Sequence, residues 1–326
     1  MQRFENILCV ISSGQDCDVV LERAVQLAMN HQANLSVVEV LEEIPAGMFQ
    51  FSNTIQSDEL REALIASHRR RLQRRIAPWR GGAIIRSDVL VGIPFLEIIR
   101  EVQRRKHDLV IKIADSGGLL DRMFGSDDMH LLRKCPCPVW LVKPDSPRRY
   151  RTIMAAVDAG DRDSPEEQKT RYRLDIQVIE LAGSLALSEF AQLHVVHAWE
   201  EIGERLMQYP FTEISQRDVV AYMEAARERR RQQLDRLVKE ALDKANRATT
   251  EYLKPQIHLL KGSPRTEIPA FARSIEADLV VMGTVARTGI SGLFMGNTAE
   301  TILNQLNCSI VAIKPPGFIT PVRPQE

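Results

Sequence analysis

The sequence predicts an α/β protein of two tandem domains, each built on a parallel sheet with helices on both faces. Three observations predict it. The chain repeats itself: "ENILCVIS" (5–12) aligns with "RTIMAAVD" (151–158), and "ANLSVVEVLEEI" (33–44) with "AQLHVVHAWEEI" (191–202). In the same order, "DLVIK" (108–112) aligns with "DLVVM" (278–282) and "CPVWLVKP" (137–144) with "CSIVAIKP" (308–315). The offset of roughly 150–170 residues is too long for a solenoid repeat and fits a second copy of one domain. The strand-like runs are short and apolar without strict alternation, as expected when both faces of a sheet are buried. They alternate with helical stretches, which implies right-handed crossovers between parallel strands.

Each copy carries the same elements in the same order. A first strand (6–12; 152–158) precedes a helix (17–31; 168–188), and a second strand follows (34–41; 191–199). A loop then leads to a long polar helix (57–78; 215–247). The third strand (83–91; 256–260) runs into "VGIP" or "KGSP" and a short helix. A fourth strand, a loop of small residues, a helix and a fifth strand close the copy. "KPDSPRRYR" (143–151), with two prolines and a charge run, reads as the linker. The expected domains are therefore 1–145 and 146–326.

Composition excludes several classes of protein. The chain has 326 residues, 44% apolar and 26% charged, with 43 basic and 43 acidic side chains. The balance holds in each half, so neither has the net positive charge of a general nucleic-acid binder. Nothing approaches the ~18 consecutive apolar residues of a membrane span. "MQRFENILCVISS" places Glu5 beside a short apolar run and lacks a secretory pattern. Five cysteines make no disulfide framework, and a reducing cytoplasm is the expected compartment.

Open parallel sheets bind ligands beyond the carboxyl ends of their strands, where strand order reverses. In the second copy the first strand ends at Asp158 and the fourth at Gly283. An aspartate there suits ribose hydroxyls or an amino group. The loop "GTVARTGISGLFMGNTAE" (283–300) is small enough for phosphates to approach backbone N–H groups. Its "GNTAE" opens a helix whose N-terminus favours anions, with Asn297 or Thr298 as expected N-caps and Glu300 in the first turn. The alternative is that these are turn and capping residues only. The standard G-x-x-x-x-G-K-[ST], G-x-G-x-x-G and G-x-S-x-G motifs are absent.

"VVMGTVARTGISGLFMGNTAETIL", followed by "NCSIVAIKP", resembles the universal stress protein (Usp) family, and the duplication resembles its tandem bacterial members of E type. The resemblance implies two Rossmann-like, Usp-type domains, each a five-stranded parallel sheet of order 3-2-1-4-5. It also implies ATP, or another adenine nucleotide, as the ligand of the second copy. ATP-binding members carry G-x2-G-x9-G-[ST] and an aspartate ending the first strand. Here Gly283 matches the first glycine, Gly296 the third and Asp158 the aspartate. Ala286 replaces the second glycine and Asn297 the serine or threonine. Val195 falls at a second-strand position whose backbone faces adenine in such members. The candidate cofactor-binding set is Asp158, Val195, Met282, Gly283, Ala286, Gly296, Asn297 and Thr298.

The first copy departs further. Ser12 stands in the place of Asp158, and Ile113 and Ser116 in those of the first two glycines. Only Gly125-Ser126 survives, and Asp115, Asp121, Asp127 and Asp128 are expected to repel phosphate. That domain reads as nucleotide-free. Cys135 and Cys137, with His130 close by, are spaced too tightly for the usual zinc pattern, and no metal site is assigned. His194 and His197, three apart in a strand, point to opposite faces and read as core or strand-end residues. Residues 68–75, "HRRRLQRR", read as a solvated helix face, with nucleic acid an unlikely partner because no aromatics interleave. Lys261, near the end of the third strand, is expected in solvent, the alternative being that it reaches a phosphate.

No catalytic constellation stands out. The leading expectation is a cytoplasmic stress-response protein that binds rather than turns over its ligand. The alternatives are a nucleotide-free scaffold acting through protein or nucleic-acid contacts, and a slow ATP hydrolase. The apolar fifth strands are unpaired edges, and family members pair through them. The resemblance therefore implies an internal pseudo-dimer of the two domains, and a homodimer is a further possible assembly.

Overall fold

A computed structural model of the chain describes residues 4–12, 16–43, 57–81, 84–115, 124–160, 165–201, 215–243, 252–284 and 295–324. It divides into two compact units. One is Arg3–Arg148 with Phe318–Glu326; the other contains Arg149–Gly317. The segment after Gly317 thus goes with the first unit, where Gln103 Nε2 donates to the Val322 carbonyl at 3.0 Å. The expected division at 145/146 has no such return.

In the first unit the elements run β1 (Asn6–Ile11), α1 (Asp18–His31), β2 (Asn34–Leu41), α2 (Ser57–Ile76), β3 (Ile85–Val91), α3 (Pro94–Arg105), β4 (Leu109–Ile113), α4 (Ser126–Lys134) and β5 (Val139–Val142). The strands are parallel, in the order β3-β2-β1-β4-β5. The second unit repeats this with β6 (Thr152–Val157), α5 (Pro165–Glu189), β7 (Gln192–Trp199), α6 (Gln216–Asp243), β8 (Gln256–Lys261), α7 (Pro264–Ser274), β9 (Leu279–Gly283), α8 (Asn297–Leu303) and β10 (Ser309–Ile313). Its order, β8-β7-β6-β9-β10, is the same pattern, again parallel.

The central strands carry the core. Ile7, Leu8 and Cys9 of β1 and Ile153, Met154 and Ala155 of β6 are fully buried. Two strands on either side and helices above and below leave β1 and β6 no solvent face, hence their continuous apolar runs. The repeat extends to backbone detail. Helices α1 and α5 end on left-handed residues, Gln32 (φ 54°) and Phe190 (φ 57°). "VGIP" and "KGSP" also have a shared cause. Gly92 (φ +144°) and Gly262 (φ +136°) sit in backbone that L side chains rarely adopt, and a Cβ on either would meet Glu97 or Glu267 within 3.0 Å.

The two copies differ in the helix after the first strand. The ends of α1 and α5 align, yet α1 has 14 residues and α5 has 25. The extra length lies at the N-terminal end of α5 and amounts to about three turns.

Candidate functional site

In the second unit the chain leaves β6 on one side for β7 and later returns on the other for β9. β6 and β9 are neighbours, with Ala156 opposite Met282. Asp158, just past β6, and Gly283, the last residue of β9, therefore flank the point where strand order reverses. Asp158 is about one-third exposed and is held by the extension of α5: Arg171 Nη1 donates to its Oδ2 at 2.5 Å. Its own N–H donates to Asp175 Oδ1 at 3.1 Å, again on α5. Beside it lies a cavity of about 190 Å³, lined by Asp158–Gly160, by Gln168, Arg171, Tyr172 and Asp175 of α5, and by Gln233, Arg236 and Leu237 of α6.

Gly283 has a packing reason to be glycine. A Cβ there would stand 2.6 Å from Leu174 Cδ2 and 3.1 Å from its Cγ. Leu174, also on the α5 extension, is 5% exposed. Just beyond, Thr284 is fully buried and accepts a 2.7 Å hydrogen bond from Lys314 Nζ. Gly296 donates to the Thr284 carbonyl at 3.1 Å, so the two ends of the loop meet at the base of α8.

Gly296 is the N-cap of α8 and makes no side-chain cap. This differs from the expected capping by Asn297 or Thr298. Asn297 already lies inside the helix, where its carbonyl accepts from Thr301 Oγ1 at 2.7 Å. The Thr298 hydroxyl is 3.5 Å from Arg265 Nε on α7. Met282 is buried within β9, at the level of Ala156 and Ala312. Val195 is fully buried in the middle of β7, opposite Ala155 and Ile257. Asp158, Gly283 and Gly296 thus gather at the strand ends, while Val195 sits about 10 Å deeper along its strand. Ala286 lies outside the described residues, as do Ser116 and Asp121 of the first copy.

The first unit fills the same place differently. Lys112 Nζ, at the end of β4, is 2.8 Å from Asp128 Oδ1, 2.6 Å from Asp115 Oδ1 and 3.0 Å from the Ile113 carbonyl. The second oxygen of Asp128 accepts the Asp115 N–H at 2.7 Å. Asp128 is fully buried and Lys112 4% exposed. Burial alone would lower the lysine, but Asp128 and Asp115 hold its pKa above the usual value. Burial pushes Asp128 up, against the pull of Lys112. Asp128 and Asp115, expected to repel phosphate, both pair with Lys112. At the end of β1, the Ser12 carbonyl accepts from Arg75 Nη1 at 3.3 Å.

Sequence reasoning missed three contributors. Arg171 and Leu174 gave no signal beyond helical periodicity, because their partners are far along the chain. Lys112, inside a strand otherwise apolar, did give one: a lysine there needs a buried partner. The basic run of α2 partly pairs with a buried carboxylate. His68 Nδ1 and Arg71 Nη2 lie 3.2 and 3.0 Å from Glu39, itself 3% exposed, while Arg70 and Arg74 face outward.

The histidines part as expected. His194 Nδ1 pairs with His258 Nε2 at 3.1 Å, and His197 Nδ1 donates to the Val157 carbonyl at 3.2 Å. Burial, then His258, lowers the pKa of His194. His130 stacks on Phe95 at 4.6 Å, and Cys135 and Cys137 are buried with sulfurs 3.6 Å apart. Among the described residues no group of three metal-ligating side chains assembles and no helix is long and apolar enough to cross a membrane. Lys261 ends β8 and is exposed.

The parallel order 3-2-1-4-5 in both units, with a cavity beside the switch point of the second, defines a duplicated Rossmann-like protein. The model of the universal stress protein family matches residues 3–143 and again 149–314, and the chain belongs to that family. It is 31% identical to universal stress protein E of Escherichia coli K12, over 99% of this chain and 98% of the relative. A homologue of that protein in Haemophilus influenzae Rd is 29% identical, over 96% of this chain and 98% of its own length. Among solved structures, a protein of Pseudomonas aeruginosa UCBPP-PA14 described as a universal stress protein covers 96% of this chain and 94% of its own, at 25% identity and a TM-score of 0.68.

Proposed function

We propose that the chain binds one adenine nucleotide, ATP in the simplest case, in its second unit, and acts in the cytoplasm as a ligand-responsive regulator rather than an enzyme. The observation that carries this reading is the asymmetry of the two strand-end clefts. In the first unit a buried Lys112–Asp128 pair occupies the place after β4. In the second, Asp158 and Gly283 flank the same place, and among the described residues the end of α5 and part of α6 border it. A cavity of about 190 Å³ is smaller than the ~300 Å³ at which ligand sites begin. Nucleotide entry therefore requires Arg171 to release Asp158 and the first turns of α5 to move. The competing reading, a nucleotide-free scaffold, draws on the same contacts, with Arg171 and Leu174 as permanent fillers.

Calorimetric titration of the full chain with ATP, with an assay for copurified nucleotide, separates the two. One ATP bound per chain, lost in Asp158→Ala and in Gly296→Val, is the expected result. No binding by the folded wild type selects the scaffold, and binding that survives Asp158→Ala moves the site elsewhere. Metal-dependent phosphate release would instead make the protein a hydrolase.

A further inference from the structure

The edge strands β3 and β8 of the two units are protected to different degrees. Edge strand β3, "IRSDVLV", carries Arg86 and Asp88 within it, and Arg69 of α2 reaches Asp88 at 3.3 Å. Charges on an edge strand discourage pairing with another chain. Edge strand β8, "QIHLLK", has Ile257, His258, Leu259 and Leu260 in its interior, all partly exposed, and no charge before its last residue. Gly262 donates to the Trp199 carbonyl at 2.9 Å. By the alternation of a strand, the backbone groups of Ile257 and Leu259 then point away from β7, to the open side. Arg231 confirms this direction: its Nη1 donates to the Ile257 carbonyl at 3.4 Å.

Along this edge runs a cavity of about 670 Å³ between Ile257–Leu260 and one stripe of α6. The stripe is Glu224, Arg227, Glu228 and Arg231, all exposed, at helical spacing. Its sequence of charges, minus-plus-minus-plus, is self-complementary under a two-fold axis. Run antiparallel against a copy of itself, Glu224 faces Arg231 and Arg227 faces Glu228. The two parts also match in length: seven helical rises and three strand rises each span about 10 Å.

We propose that this surface joins two copies of the chain. β8 pairs antiparallel with β8 of a second copy across a two-fold axis at His258, and the α6 stripes lie side by side above the seam. Ile257 and Leu259 exchange backbone hydrogen bonds with Leu259 and Ile257 of the other copy, and Arg231, whose Nε stays with Asp235 at 3.0 Å, turns its Nη1 from the Ile257 carbonyl to Glu224. An isologous contact of this kind closes at two and does not propagate.

Sedimentation velocity of the full chain, with circular dichroism to establish folding, tests it. The wild type is expected to be a dimer and Leu259→Lys a folded monomer. Arg227→Glu sets like charges opposite each other twice and is expected to raise the dimer dissociation constant at least ~10-fold. The swap Arg227→Glu/Glu228→Arg restores complementarity and is expected to recover the dimer. If Leu259→Lys unfolds, the exposed Arg227 pair of variants decides alone. A wild-type monomer, a dimer indifferent to Arg227→Glu, or a swap that rescues nothing overturns the proposal and leaves the groove to a different partner.

Discussion

At the end of β4, Lys112 lies between Asp115 and Asp128; at the corresponding end of β9, Leu174 lies on Gly283 and Arg171 on Asp158. The same cleft of the same fold is filled in two ways. In the first unit the filler is an ion pair between strand β4 and the helix that follows it. Its members are almost wholly buried, so removing one leaves an uncompensated charge. In the second unit the filler is the extension of a helix, held among other contacts by the Arg171–Asp158 ion pair, the Asp158 N–H to Asp175 hydrogen bond and Leu174 against Gly283. The proposed function needs this filler to lift, and a half-buried ion pair costs less to break than a fully buried one. Under the proposed function, the copy that responds to a ligand is the one whose site is bordered by the extended helix.

The comparison breaks first at Lys112. Lys112→Met places the second unit's Met282 in the first unit and strands Asp128. It is expected to cost about 3–5 kcal/mol in denaturant unfolding. Lys112→Met/Asp128→Ala, which copies Met282 and Ala299, should recover most of that loss. Equal losses in single and double variants would mean that the pair is not a unit.

A second difference is acid sensitivity. His107, at the end of α3, is 6% exposed, and neither ring nitrogen has a hydrogen-bond partner among the described residues. Burial pushes its pKa down to about 4, and the second unit has Ala277 in its place. A histidine depressed in the native state is neutral there and charged in the unfolded chain. Its contribution is therefore present above pH ~6.5 and is lost as pH falls toward 4, on the order of 2–3 kcal/mol. His107→Ala should flatten the stability profile in that window. An unchanged slope would move acid sensitivity to other groups.

The smallest effect sharpens the second half of the comparison. Gly283→Ala drives a Cβ against Leu174 and should cost about 1 kcal/mol. Leu174→Ala in the same chain should make Gly283→Ala nearly neutral. Additive losses in that cycle would show that the two residues do not press on each other.

Much of the fold was legible in the sequence. The duplication, the strand runs and the switch point at Asp158 and Gly283 follow from local pattern and self-similarity. So do the special turns at "VGIP" and "KGSP", where glycine precedes proline. These are properties of short stretches, and side-chain period and backbone preference are themselves local. What the tertiary structure alone decided was how each cleft is filled. Asp128 reads as one more acidic loop residue until β4 brings Lys112 beneath it. Arg171 and Leu174 read as an ordinary helix until three further turns of α5 carry them over strand ends formed 13 and 109 residues away. Charge and volume at a site are set by whatever packs there, and no local period in the chain records which distant side chain that is.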